Sequence, residues 1–146
     1  MWMAVLLALS GALINPQGKT IGTVEITPTP HGVVLHLAGH LPKGTHALHI
    51  HEKGVCTPPD FKSAGGHYNP EGKAHGFLNK DGFHKGDLPN IHVVADTFAL
   101  TLFLPYLSAA DFQAPRAVVI HQGPDDGRSQ PAGAAGPRIA CGVLKP

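Results

Sequence analysis

Between Gly44 and Asp87 the chain carries His49-Ile50-His51, Cys56, His67, His75, His84 and Asp87. So many metal-ligating side chains in one segment mark a metal site. In an extended strand the side chains at i and i+2 share a face, so His49 and His51 stand side by side while Ile50 packs the other way. That pair is a ready chelate. His67, His75, His84 and Asp87 follow in a Gly- and Pro-rich stretch with neither helical nor strand periodicity, the pattern of a loop folded around metal. One ion does not need this many ligands.

The rest of the composition sets the frame. At 146 residues, 42% hydrophobic and 14% charged, the chain has the length and apolar content of one globular domain. Net charge is +1, and no Lys/Arg run supplies the patch that general nucleic-acid binding needs. Eighteen Gly and fourteen Pro suit short strands joined by turns and disfavour long helices. Eleven His, as many as Lys and Arg together, is the outlier.

Met1 to Ile14 is apolar and uncharged, too short for the ~20 residues that a membrane-spanning helix needs. Two readings stand. The segment is a signal peptide cleaved within Ala8-Leu9-Ser10-Gly11-Ala12, although no Lys or Arg precedes Lys19, or it is a first strand. Export is the favoured expectation, with residues 15–146 as a single domain. Cys56 and Cys141 either pair, as an oxidising compartment would allow, or remain two buried thiols.

Alternating apolar residues predict strands over Ile21–Thr27, with Val24 and Ile26 on one face, and Gly32–Ala38, with Val33, Leu35 and Leu37 on one face. Thr45–His51, Ile91–Ala95, Phe98–Leu104, Ala117–His121 and Arg138–Leu144 read as further strands, and Leu107–Phe112 as one helical turn. Long loops fall at Glu52–Pro89 and Gln122–Pro137. The expected fold is an all-β Greek-key barrel or sandwich of about eight strands with two functional loops.

Five motifs then occur in order: Gly44-Thr-His-Ala-Leu-His-Ile-His-Glu-Lys-Gly-Val-Cys56, Ser63-Ala-Gly-Gly-His-Tyr-Asn-Pro70, His84-Lys-Gly-Asp-Leu-Pro-Asn90, Val119-Ile-His121 and Gly136-Pro-Arg-Ile-Ala-Cys-Gly-Val143. From about Gly18 onward the chain resembles the copper,zinc superoxide dismutases of the bacterial, exported branch. The resemblance implies dismutation of superoxide to oxygen and hydrogen peroxide. It makes His49, His51, His67 and His121 the copper ligands and His67, His75, His84 and Asp87 the zinc ligands, with His67 shared. Imidazoles suit a copper ion that changes oxidation state, and three imidazoles with a carboxylate suit tetrahedral zinc. It further implies that Asp125 links the outer nitrogens of His49 and His75, that His46 braces loops, and that Arg138 is the active-site cation, restrained by a Cys56–Cys141 disulfide. The implied partner is the superoxide anion, with no nucleic acid and no stable membrane insertion. The implied setting is the periplasm or another exported location, as monomer or homodimer.

His31, His36, His40 and His92 read as ordinary core or surface residues, and Asp126 as turn chemistry. Two departures from the family pattern bear on the site. Ala47-Leu48 stands where Gly-Phe is usual, which matters only if that backbone needs φ > 0 or close approach. Pro137 precedes Arg138, removing an amide donor and restricting Gly136, a change that could shift the arginine. Loop 122–137 carries little positive charge, leaving capture of an anion to Arg138, the copper charge and whichever of Lys53, Lys62 and Lys85 faces the site. A dismutase-like copper-buffering protein with little turnover is the alternative reading. A zinc-stabilised structural domain is a third.

Overall fold

The computed structural model describes residues 7–146. The signal-peptide reading therefore lies partly outside the described residues. Leu9–Ile14 forms strand β1, hydrogen-bonded along β2 and touching β9, with Leu13 fully buried.

The other strands are β2 Thr20–Thr29, β3 Gly32–His40, β4 Gly44–His46, β5 Leu48–His51, β6 Ile91–Val93, β7 Thr97–Leu104, β8 Arg116–His121 and β9 Arg138–Leu144. β5-β8-β9-β1-β2-β3-β7 make one antiparallel sheet of seven strands, and β4-β6 a second of two. The sheet curls on itself, and its non-consecutive neighbours β3–β7, β5–β8 and β9–β1 are those of a Greek-key barrel. The predicted strand Thr45–His51 is split at Ala47, which accounts for nine strands among the described residues where about eight are expected. Ala47 takes its hydrogen bonds from elsewhere, its N–H donating to Gly123 O and its carbonyl accepting from His121 N. Its φ is not positive and its side chain is fully buried, so alanine fits there.

The alternation legible in the sequence fills the interior. Val24 and Ile26 of β2 and Val33, Leu35 and Leu37 of β3 meet Leu48 and Ile50 of β5 and Val118 and Ile120 of β8 in one core. β8 is apolar at every position from Ala117 to Ile120 because both of its faces are covered. Ala117 and Val119 pack outside the barrel against Phe61, Ala64 and Cys141. That outer layer belongs to loop 52–90, and the Cys56–Cys141 disulfide fastens it to β9. The expected turn near Leu107–Phe112 is a short 3-10 turn, Ala109–Phe112, capped reciprocally by Ser108 and Asp111.

Candidate metal centre

Strand register determines where the imidazoles point. His49 pairs with Val119 and His51 with Ala117, so both rings leave β5 on the outer face, as does His121 two residues beyond Val119. The loop delivers the rest through main-chain contacts around Ile50. Ile50 N donates to Gly86 O, Gly86 N to Tyr68 O and Tyr68 N to Ile50 O, each at 2.8 Å. The three residues adjoin His49, His51, His67 and Asp87, so this small backbone ring sets the spacing of four side chains, with His84 two residues before Gly86. Only glycine permits the approach at Gly86, where a Cβ would lie 2.2 Å from Ile50 O.

His49, His51, His67 and His121 are buried and offer ligand atoms within 4.8 Å of one another. Their outer nitrogens are used: His49 Nε2 donates to Asp125 Oδ2 (2.7 Å), His51 Nδ1 to Gly65 O (2.8 Å) and His121 Nδ1 to Gly136 O (2.9 Å). Their inner nitrogens, His49 Nδ1, His51 Nε2, His67 Nε2 and His121 Nε2, have no hydrogen-bond partner. An unpartnered buried polar group costs about 1–3 kcal/mol, and four facing one point are satisfied together by a cation.

On the other side of His67, its Nδ1 lies 3.1 Å from His84 Nδ1 and 3.0 Å from Asp87 Oδ1, and His75 Nδ1 lies 2.8 Å from the same oxygen. Distance alone also groups His49 with His67, His75 and Asp87. The direction of the nitrogens decides otherwise: His49 gives Nε2 to Asp125 and turns Nδ1 to the first set, leaving His84 as the fourth donor of the second. Three imidazoles and a carboxylate oxygen fit zinc, four imidazoles fit copper, and His67 faces both sites.

Electrostatics keep the imidazoles of the first set unprotonated, with their lone pairs free to bind an ion. Burial, opposed by the Asp125 bond, lowers the pKa of His49 to about 4, and burial lowers His51 and His121 as well. His75 goes the other way: burial is outweighed by Asp125 and Asp87, which raise it to about 9. Burial would raise both carboxylates, but the imidazole contacts hold Asp87 and Asp125 well below the usual range. Asp125 thus spans His49 and His75, and Asp126 caps the amides of Arg128 and Ser129 in a turn.

Arg138 donates Nη1 to Phe61 O and Nη2 to Gly65 O, both at 2.8 Å. Phe61 is fully buried with φ 57, a left-handed backbone rare outside glycine, which aims its carbonyl at the guanidinium. His46 donates Nδ1 to His121 O and Gln122 O and lies 2.7 Å by Nε2 from Pro42 O, a brace between segments. Lys62 lines a groove with Asp60, Pro137 and Arg138, whereas Lys85 is tied 3.2 Å from Asp111. His36 and His92 bond Thr101 and Thr45 on the surface. Three participants carried no sequence signal: the carbonyls of Phe61 and Gly65, and Gln130, which holds the backbone of His75. Main-chain acceptors are invisible to side-chain spelling.

A Greek-key barrel that sets two ion sites on its outer wall, joined by one imidazole, defines a class of binuclear metalloprotein. The model of the copper/zinc superoxide dismutase family matches residues 20–144. The chain is 46% identical over 144 residues to Cu-Zn superoxide dismutase 2 of Aquifex aeolicus, covering 91% of this chain and 84% of that protein. Its fold matches a double mutant of a SOD-like protein from Bacillus subtilis at TM-score 0.85 and 39% identity, covering 94% of this chain and 97% of that one. The Cu/Zn superoxide dismutase from Brucella abortus matches at TM-score 0.79 and 28% identity, covering 95% and 100%. The chain belongs to the copper/zinc superoxide dismutase family.

Proposed function

We propose that this chain dismutates superoxide to oxygen and hydrogen peroxide, using copper held by His49, His51, His67 and His121 and zinc held by His67, His75, His84 and Asp87. The carrying observation is the set of four buried inner nitrogens without a protein partner. Bound copper supplies a one-electron couple that oxidises one superoxide and reduces a second, while zinc supplies charge and geometry without redox change. The residues do the rest. Burial keeps His49, His51 and His121 neutral at physiological pH, so their lone pairs are available. His67 presents one nitrogen to each site, and Asp125 fixes the rings of His49 and His75 together. Arg138, whose charge is felt at His51 and His121, attracts and orients the anion beside them.

The second reading is a copper-binding protein in a dismutase fold with little turnover, which the altered surroundings of Arg138, with Pro137 directly before it, would allow. The zinc-only structural domain is the third, and metal analysis separates it. Superoxide decay is measured with protein loaded with both metals, with Arg138→Ala and His121→Ala, and with metals counted in each sample. Rapid decay in the parent, slow decay with copper retained in Arg138→Ala and copper loss in His121→Ala are expected. A parent holding both metals without accelerating decay sinks the enzyme reading.

The disulfide supports an exported, periplasmic setting, since such bonds persist in oxidising compartments. Among the described residues no helix is long and apolar enough to cross a membrane. The pairing of Leu9–Ile14 with β2 supports the first-strand reading of residues 1–14 over the signal-peptide reading, and we take the chain as one domain, acting as monomer or homodimer.

A further inference from the structure

Gln130 is exposed on loop 122–137, yet its amide makes three hydrogen bonds within the protein, two of them to one residue. Its Oε1 accepts from His75 N at 2.9 Å, and its Nε2 donates to His75 O at 2.9 Å and to Arg128 O at 2.8 Å. An amide that both accepts from and donates to one residue's backbone copies the exchange between paired antiparallel strands, and fixes that residue in position and orientation. The same loop presses on His75 from two further directions. Asp125 takes the ring nitrogen Nε2, and Gly133, at φ +82, comes so close that a Cβ there would lie 2.1 Å from Asp125 Oδ1 and 2.8 Å from His75 Nε2. On the far side of His75, a Cβ on Gly76 would lie 1.9 Å from Gly127 O. The two long loops interlock at this residue.

We infer that Gln130 is a positioning residue for the zinc ligand His75, holding its main chain while Asp125 holds its ring. The inference rests on the proposed assignment of His75 to zinc. Asp125 is shared with His49 and so acts on both ion sites; the hydrogen bonds of Gln130 go to His75 and to Arg128 of its own loop, and none goes to the copper set. Removing it therefore loosens one site and leaves the other.

The test compares zinc affinity, by competition with a chromophoric chelator, in full-length parent, Gln130→Ala, Gln130→Glu and His75→Ala. Copper affinity and the copper EPR spectrum are recorded on the same proteins. Gln130→Ala is expected to weaken zinc binding about 10–100-fold, the range typical for partners that orient a ligand. Gln130→Glu keeps the acceptor for His75 N and loses both donors, so it falls between parent and Gln130→Ala. The copper measurements stay at parental values in both. Zinc affinity of Gln130→Ala equal to the parent's overturns the inference, as does a parallel loss of copper affinity, which would mean general loosening. Unchanged zinc affinity in His75→Ala instead overturns the assignment of His75 itself.

Discussion

Arg138 and His51 converge on one atom, the carbonyl oxygen of Gly65, which accepts Arg138 Nη2 and His51 Nδ1, each at 2.8 Å. The cation proposed to guide the anion and a proposed copper ligand are therefore set by the same main-chain group. Arg138 also reaches Phe61 O, which requires the planar fork of a guanidinium. Arg138→Lys keeps the charge but cannot serve both carbonyls in that geometry. Hydrogen bonds from charged groups contribute ~1.5–3 kcal/mol each, so dismutation by the loaded enzyme should fall roughly 10–100-fold with copper retained. Parental rates in Arg138→Lys would show that charge alone suffices.

The disulfide closes a long segment, joining Cys56 and Cys141 across a sequence separation of 85, and Cys141 packs in the outer cluster with Phe61. A closure of that length stabilises a fold by about 4.5 kcal/mol in the chain-entropy account. For a small domain that loses roughly 1–3 kcal/mol per M urea, Cys56→Ser with Cys141→Ser should lower the urea midpoint by roughly 2 M or more. Because Phe61 O holds Arg138, activity should fall in the double variant even below the unfolding range. An unshifted midpoint would rule out the disulfide as a major source of stability.

Metal-free protein should be most stable near pH 6.5, the ordinary histidine value. The folded pKa of His49, about 4, lies below that value, so its contribution is complete above pH 6.5 and is lost as pH falls towards 4; His51, His84 and His121 shift the same way. His75 is raised to about 9, so its contribution is complete below pH 6.5 and is lost as pH rises towards 9. Thermal midpoints recorded from pH 4 to 9 on metal-free protein should trace a dome, and His75→Phe should flatten its alkaline side. A parent already flat between pH 6.5 and 9 contradicts the role given to Asp125 and Asp87.

Most of the barrel was legible because alternation at Val24, Ile26, Val33, Leu35 and Leu37 is a two-residue period that only a half-buried strand requires. The cluster from His49 to Asp87 was legible because imidazoles and a carboxylate are metal-ligating types, whereas the division into two proposed sets, with His121 in one, came from the family resemblance. What escaped acts through the main chain or through distant register. The split at Ala47 depends on Gly123, and the seat of Arg138 on the left-handed turn at Phe61. Gln130 reaches a residue 55 positions away, with a side chain that reads as any polar loop residue. β1 was ambiguous for a different reason: an uncharged apolar run satisfies a leader and a core strand equally.

Long-range capture is the least furnished property of this site. Asp125 is committed to two imidazoles and Lys85 to Asp111, which leaves Lys62 as the lysine lining the groove beside Arg138. It is 85% exposed and its contact with Asp60, at 4.0 Å, is loose, so its charge acts outward on approaching anions. A charge of that kind changes encounter rate, and its reach shrinks with the Debye length from about 10 Å at 0.1 M salt to about 3 Å at 1 M. Lys62→Glu should therefore slow dismutation severalfold at low ionic strength and converge on the parent at about 1 M salt, with metal content and thermal midpoint unchanged. A deficit that persists at high salt would mean that Lys62 acts by contact near Arg138. No deficit at any salt would remove Lys62 from the capture of the anion and leave it to Arg138, the bound metal and the remaining surface cations.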